Sequence, residues 1–352
     1  MRILTLIASL ACLPVTADAA EYDVRPGPDA LESAMNMAQA GDTLRLSPGT
    51  YFGSIVINKP LTLIGENATI DGGGVGSVIT VDVADVILTG LTIAGSGSKG
   101  KGLDAGVSLT TKASRAIVRG NRILDNLVGV DIHGAEDSLV TGNLIEGRQD
   151  HRMNDRGNGV YVWNAPGASV IGNDFRWGKD GVFVNTSHHN TFSGNRFRDL
   201  RFAVHYMYAN DSTVSDNISQ GNHLGFAVMN SDRVEVTGNI SIGDRDHGIM
   251  LNYTNNSRIA GNWVQDGGEK CVFIYNAHKN QIEDNRLERC QIGIHFTAGS
   301  ERNAIVGNAF VGNRTQVKYA GTKWVDWSVE GRGNYWSDFS AFDIDGDGIA
   351  EG

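Results

Sequence analysis

The chain has 352 residues with 45 Gly, 29 Asn and only 6 Pro, and its formal charge is -10. Gly far above its usual share of about 7%, with no Gly-X-Y period, excludes collagen, and 41% hydrophobic residues exclude a disordered chain. So many residues tolerant of positive φ mean abundant tight turns rather than long helices, and the negative balance excludes nucleic acid as the main partner.

In chain order, residues 1–19 have the form of a secretory signal: Arg2, a mostly apolar run from Ile3 to Val15, and Ala17-Asp18-Ala19 as the cleavage site. No later run reaches the roughly 18 apolar residues of a membrane span, so the mature chain is expected to be exported and soluble. Asp29-Ala30-Leu31-Glu32 has the pattern of a capping box. Leu31, Ala34, Met35 and Ala38 follow helical spacing, and Gly41 ends the segment. Segments 43–46, 54–57, 61–64, 78–83 and 86–88 read as the first strands.

From there the chain keeps a clock. A Gly-Asn or Asp-Asn step places Asn at 121, 143, 173, 195, 217, 239, 262, 285 and 308, at spacings of 22, 30, 22, 22, 22, 23, 23 and 23. Three residues before each comes an apolar residue, Val118 in the first repeat and Ile305 in the last. A short strand begins about fourteen residues before each Asn, as in Gly181-Val182-Phe183-Val184-Asn185. Such a period means stacked units, none able to bury its apolar face alone. The Leu framework of leucine-rich repeats is missing, so the expected fold is all-β: a right-handed parallel β-helix with about three strands per coil. The recurring Asn is expected to serve turn backbone and its own copies in neighbouring coils, not chemistry. The N-terminal helix would then plug an open end. The expected organisation is a signal at 1–19, a capped β-helix at 20–320, and an aromatic cap with an acidic tail at 321–352.

Along the repeat strands alternate residues point inward, from Val130/Ile132 to Ile294/Phe296. The outward set reads Asp131/His133, Tyr161/Trp163, Phe183/Asn185, His205/Met207, Ala227/Met229, Met250/Asn252, Phe273/Tyr275 and His295/Thr297. An outward stripe of aromatics, Met and His marks a binding face, or a surface covered by the chain's own tail. Tyr161, Trp163, Phe183, Phe273, Tyr275 and His295 are its candidate partner contacts. Met207 and Met229 fall in one column a coil apart, with His205 and Met250 close by, and thioether plus imidazole suits Cu(I). The 30-residue spacing marks an insertion whose His151 and Met153 could add ligands, although a plain solvated loop fits it as well.

After signal cleavage Cys271 and Cys290 remain. An oxidising compartment permits one disulfide, but the register stacks Cys271 on Gly293, which speaks against it, since bonded Cα atoms must lie within about 7 Å. Hydrolysis of a glycosidic bond needs two carboxylates on one cleft, yet the outward columns hold only Asp131, and the acidic turns 244–246 and 266–269 look solvated. The expectation is a protein without catalytic residues. The alternative is a polysaccharide-binding or polyuronide lyase- or epimerase-type β-helix.

Past Ala320 the repeat stops. Trp324, Trp327, Tyr335, Trp336, Phe339 and Phe342 suggest an aromatic lid, and Asp343, Asp345 and Asp347 alternate as in calcium loops. The run Arg156-Gly157-Asn158-Gly159-Val160-Tyr161-Val162-Trp163-Asn164-Ala165-Pro166-Gly167, with the segments 201–208, 333–339 and 343–348, resembles the NosD family, periplasmic maturation proteins of nitrous oxide reductase. The resemblance spans essentially the whole mature chain. It implies a periplasmic, non-enzymatic role beside an ABC transporter (ATPase and permease) in assembling the reductase's copper–sulfide centre. Copper would arrive through a lipoprotein chaperone. Similar proteins usually continue past the acidic ending, whereas this sequence stops at Gly352, as a truncated copy or a fragment would.

Overall fold

The structure, a computed structural model, describes residues 19–98, 103–321, 325, 327–340 and 342. The signal segment, apart from Ala19, and Asp343, Asp345, Asp347 and Trp324 lie outside the described residues. The chain winds as a parallel β-solenoid of three faces, with 13, 12 and 13 strands among the described residues. Each strand pairs with its counterpart one coil later, as Ile117–Arg119 pairs with Leu139–Thr141 and that with Ser169–Ile171. At about 4.8 Å per strand, thirteen strands span roughly 58 Å. The inward residues read from the sequence, from Val130 and Ile132 to Ile294 and Phe296, are all buried.

The repeated Asn builds a ladder inside the coils. Asn195 and Asn217 show the unit: each backbone N–H and each side-chain Nδ2 donates to Oδ1 of the next Asn, at 3.0 Å in both bonds from Asn195 to Asn217. Nδ2 also donates to a carbonyl of an earlier coil, Asn217 to Phe192 at 2.9 Å. The ladder runs unbroken from Asn121 to Asn334. Turn backbone that would be orphaned in the interior is thereby satisfied.

At the N-terminal end the helix α1, Ala30–Met37, turns Leu31, Ala34 and Met35 onto the core. No capping box forms: Asp29 sits in the left-handed region and its side chain makes no cap bond. The helix is instead held at its other end, where Lys59 Nζ donates to the carbonyls of Met35, Asn36 and Ala38 at 3.0, 2.9 and 2.8 Å. A cation on C-terminal carbonyls also opposes the helix dipole. At the far end the lid is made by Trp336, stacked on Phe310 at 4.4 Å, and Trp327, set against Phe296 and Trp336. Tyr335, Phe339 and Phe342 stay exposed.

The two cysteines are bonded, against the expectation from register, with Cα atoms 5.7 Å apart. Cys271 does lie between Gly248 and Gly293 in its column. Its side chain, however, turns sideways into a corner. There Cys290 occupies a second inner column whose other members include Asn222, Asp244 and Asn313. The Gly column is small because it faces that corner: a Cβ on Gly248 would meet Val264 Cγ1 at 2.3 Å. The bond therefore joins adjacent columns of neighbouring coils, a diagonal that stacking register does not reveal. The same corner corrects a second expectation. Asp244 is fully buried, while Asp246, Asp266 and Glu269 are solvated.

Candidate functional site

The outward side of the twelve-stranded face carries three columns. Asp131, Tyr161, Phe183, His205, Ala227, Met250, Phe273 and His295 succeed one another in register, and so do His133, Trp163, Asn185, Met207, Met229, Asn252 and Tyr275. Beside them runs Asp180, Phe202, Leu224, His247 and Lys270. Neighbours in a column meet ring to ring: His133 stacks on Trp163 at 4.2 Å, Tyr161 stacks on Phe183 at 5.3 Å, and Phe273 lies tilted against His295 at 5.3 Å. Ala227 is fully buried because the longer side chains around it close over it. The stripe is thus a packed, half-buried shelf of large side chains, the form an interface core takes.

His205 lies at its middle and is 12% exposed. Its Nδ1 is 3.0 Å from Oδ2 of Asp180, a carboxylate 2% exposed. Arg201 grips the same carboxylate, Nε to Oδ1 at 2.8 Å and Nη2 to Oδ2 at 2.6 Å, and lies 4.6 Å over the Phe202 ring. Burial alone pushes the Asp180 carboxyl up, but the bonds from His205 and Arg201 outweigh it and hold the group below the usual carboxylate range. Met207 and Met229 are direct register partners next to it, both half-buried. Among the described residues no three His, Cys, Asp or Glu converge to hold a metal ion. A metal on this shelf would therefore depend on the thioethers.

The other predicted residues divide. Met250 stands two coils from His205 in the same column. His151 and Met153 sit in the exposed insertion, where Met153–Asp155 makes one 3-10 turn and His151 pairs with Asp150 at 2.7 Å. Tyr161, Trp163 and Phe183 flank the centre toward the N-terminal end; Phe273, Tyr275 and His295 flank it toward the other. Asp131 faces outward but is only 5% exposed; Oδ1 has no partner among the described residues, and burial pushes its carboxyl up to about 7. It is not the lone acid of the shelf, since Asp180 shares it.

Several members escape sequence reading. Asp180 lies one residue ahead of the Gly that opens its repeat, where other coils carry Phe202, Leu224, His247 and Lys270, so no pattern flags it. His247, which was not read as part of the shelf, and His295, which was, each bury an Nδ1 with no partner among the described residues. Burial first, then nearby lysines, lowers the pKa of both and favours the neutral ring. Tyr208 and Tyr253 follow the shelf strands in left-handed backbone, φ 49° and 51°, and are exposed. The same turn position is left-handed in neighbouring coils, at Asn164, Thr186, Asn230 and Asn276, so the conformation belongs to the repeat and the tyrosines bear its cost.

A family model described as "Periplasmic copper-binding protein (NosD)" matches residues 141–341. A protein of Stutzerimonas stutzeri named probable ABC transporter binding protein NosD is 41% identical over 322 residues, 87% of this chain and 74% of the relative. One of the same name from Pseudomonas aeruginosa is 41% identical over 320 residues, 87% of this chain and 75% of that one. Among solved structures, an alginate lyase overlays with TM-score 0.64 at 14% identity, covering 86% of this chain and 84% of its own. The A-module of a mannuronan C-5 epimerase from Azotobacter vinelandii gives 0.56 at 14%, covering 84% of this chain and 94% of its own. At such identity the likeness is one of fold alone.

Proposed function

This chain belongs to the NosD family, described as periplasmic copper-binding proteins, and we propose that it serves as the scaffold on which copper is delivered to the copper–sulfide centre of nitrous oxide reductase. It works beside an ABC transporter permease and ATPase, receives copper from a lipoprotein chaperone, and offers the shelf to its partners. The single observation that carries this reading is the in-register pair Met207 and Met229 beside His205, embedded in an aromatic shelf. Two thioethers and an imidazole suit Cu(I) as transient cargo, and Met250 adds a third sulfur farther along the face. The flanking aromatics would dock the protein that gives or takes the metal. Support against glycan chemistry comes from the carboxylates: Asp180 is engaged by Arg201 and His205, which leaves no free carboxylate pair on the described shelf.

Anaerobic competition against a Cu(I) chelator tests the site. The double variant Met207→Leu/Met229→Leu and His205→Ala should each weaken binding at least tenfold. Equal affinity in wild type and variants would remove these residues as ligands.

A further inference from the structure

We propose that Asp180 and Arg201 are positioning residues that lock His205 in the tautomer with its proton on Nδ1, leaving Nε2 as the free ring nitrogen. The inference deepens the copper reading and rests on it only for the use of Nε2. The lock itself is a property of the metal-free protein.

Two acceptor–donor patterns compete at Nδ1. Asp180 Oδ2 stands 3.0 Å away and is ready to accept; Arg201 Nη2 stands 3.4 Å away and would donate to a bare Nδ1. Arg201 Nη2 bonds the carboxylate at 2.6 Å, and its 3.4 Å contact with the ring is far longer, so that contact is the weaker claim. A bond from Nδ1–H to an ionised, buried carboxylate is charge-assisted and about twice as strong as a neutral one. The proton therefore belongs on Nδ1. Flipping the ring would set a carbon against Asp180 and cost Oδ2 one of its two donors, leaving it Arg201 alone. Phe183 and Phe202 hold the ring besides, each 4.8 Å from its centroid, one tilted and one edge-on.

The arrangement occurs at one place along the described part of the shelf. The residue of each coil in the column of Asp180 and the residue of the next coil in the column of His205 form the pairs Asp180–His205, Phe202–Ala227, Leu224–Met250, His247–Phe273 and Lys270–His295. Of these, only Asp180–His205 joins an acceptor to an imidazole, and it lies beside the two methionines. Arg201 balances the carboxylate charge, so Asp180 orients the ring without making the shelf a strong attractor of hard divalent ions. Outer hydrogen-bond partners of a ligating His fix its tautomer in this way.

The test is nitrogen-15 long-range correlation spectroscopy of histidine side chains in the metal-free full chain at pH 8, with the His205 signals assigned by their loss in His205→Gln. Wild type should show the proton on Nδ1. Asp180→Asn keeps shape and fold, but Arg201 claims its one oxygen and turns the amide N–H toward the ring. The proton should move to Nε2, and Cu(I) affinity should fall about 10- to 100-fold. A merely structural Asp180 would move the melting temperature and leave the tautomer alone. A wild-type proton on Nε2, or an Asp180→Asn variant with unchanged tautomer, overturns the lock. A shifted tautomer with unchanged Cu(I) affinity overturns its role in metal binding. If His205→Ala binds Cu(I) like wild type, the copper reading falls by itself, while the metal-free spectra still decide the lock.

Discussion

Asp244 offers a quantitative check on the interior. It occupies a column where Asn222 and Asn313 perform the same task, accepting a backbone N–H from the preceding coil: Asn222 N to Asp244 Oδ1 is 2.8 Å. Ser241 Oγ donates to the other oxygen at 2.6 Å. Burial pushes the carboxyl up to about 6, with Ser241, Ser219 and Asn222 pulling back. The folded state therefore holds this proton more tightly than the unfolded chain. Its contribution is full below the unfolded value near 4, falls as pH rises to about 6, and is lost above that. Raising the carboxyl from near 4 to about 6 corresponds to roughly 3 kcal/mol at neutral pH. Asp244→Asn presents the same acceptor oxygen with no charge to bury, so it should raise stability by about 2–3 kcal/mol at pH 7.5 and by little at pH 4. Long repeat arrays depart from two-state unfolding, so denaturant midpoints at the two pH values are the measurement. A variant less stable than wild type at pH 7.5, or a difference that does not change with pH, would refute the reasoning.

Three further outcomes follow from the same contacts. Asn217→Ala orphans the Asn195 N–H and the Phe192 carbonyl, and should lower stability by about 2–4 kcal/mol in the same denaturation assay. Tyr208→Asn relieves a left-handed tyrosine and should stabilise by up to about 1 kcal/mol while weakening partner capture on the shelf, checked by midpoint and pull-down together. Thiol titration of the unfolded, unreduced mature chain should find no free Cys271 or Cys290, and the double Ser variant should lose about 3 kcal/mol.

The architecture was legible because one short period repeats with nearly constant spacing, which fixes which side chains share a column. The inward residues, the Asn ladder and the Met207–Met229 pairing all follow from it, while the N-terminal helix follows from its own helical spacing. What the period concealed lies at the corners. Asp180 and Asp244 occupy columns whose other members vary from coil to coil, so neither stood out, and the Cys271–Cys290 bond crosses between columns rather than along one. The capping box did not form because Asp29 takes left-handed backbone, which its local pattern did not show, and the cation at the helix's other end, Lys59, is brought in by the first coils from more than twenty residues away.

The central claim is delivery of copper to the reductase. It is tested most directly by the copper content and visible spectrum of nitrous oxide reductase purified from a strain lacking this gene, complemented with wild type or with His205→Ala/Met207→Leu/Met229→Leu. A copper–sulfide centre should form with the wild-type gene, and none without it or with the triple variant. A normally assembled centre in the strain lacking the gene would contradict it.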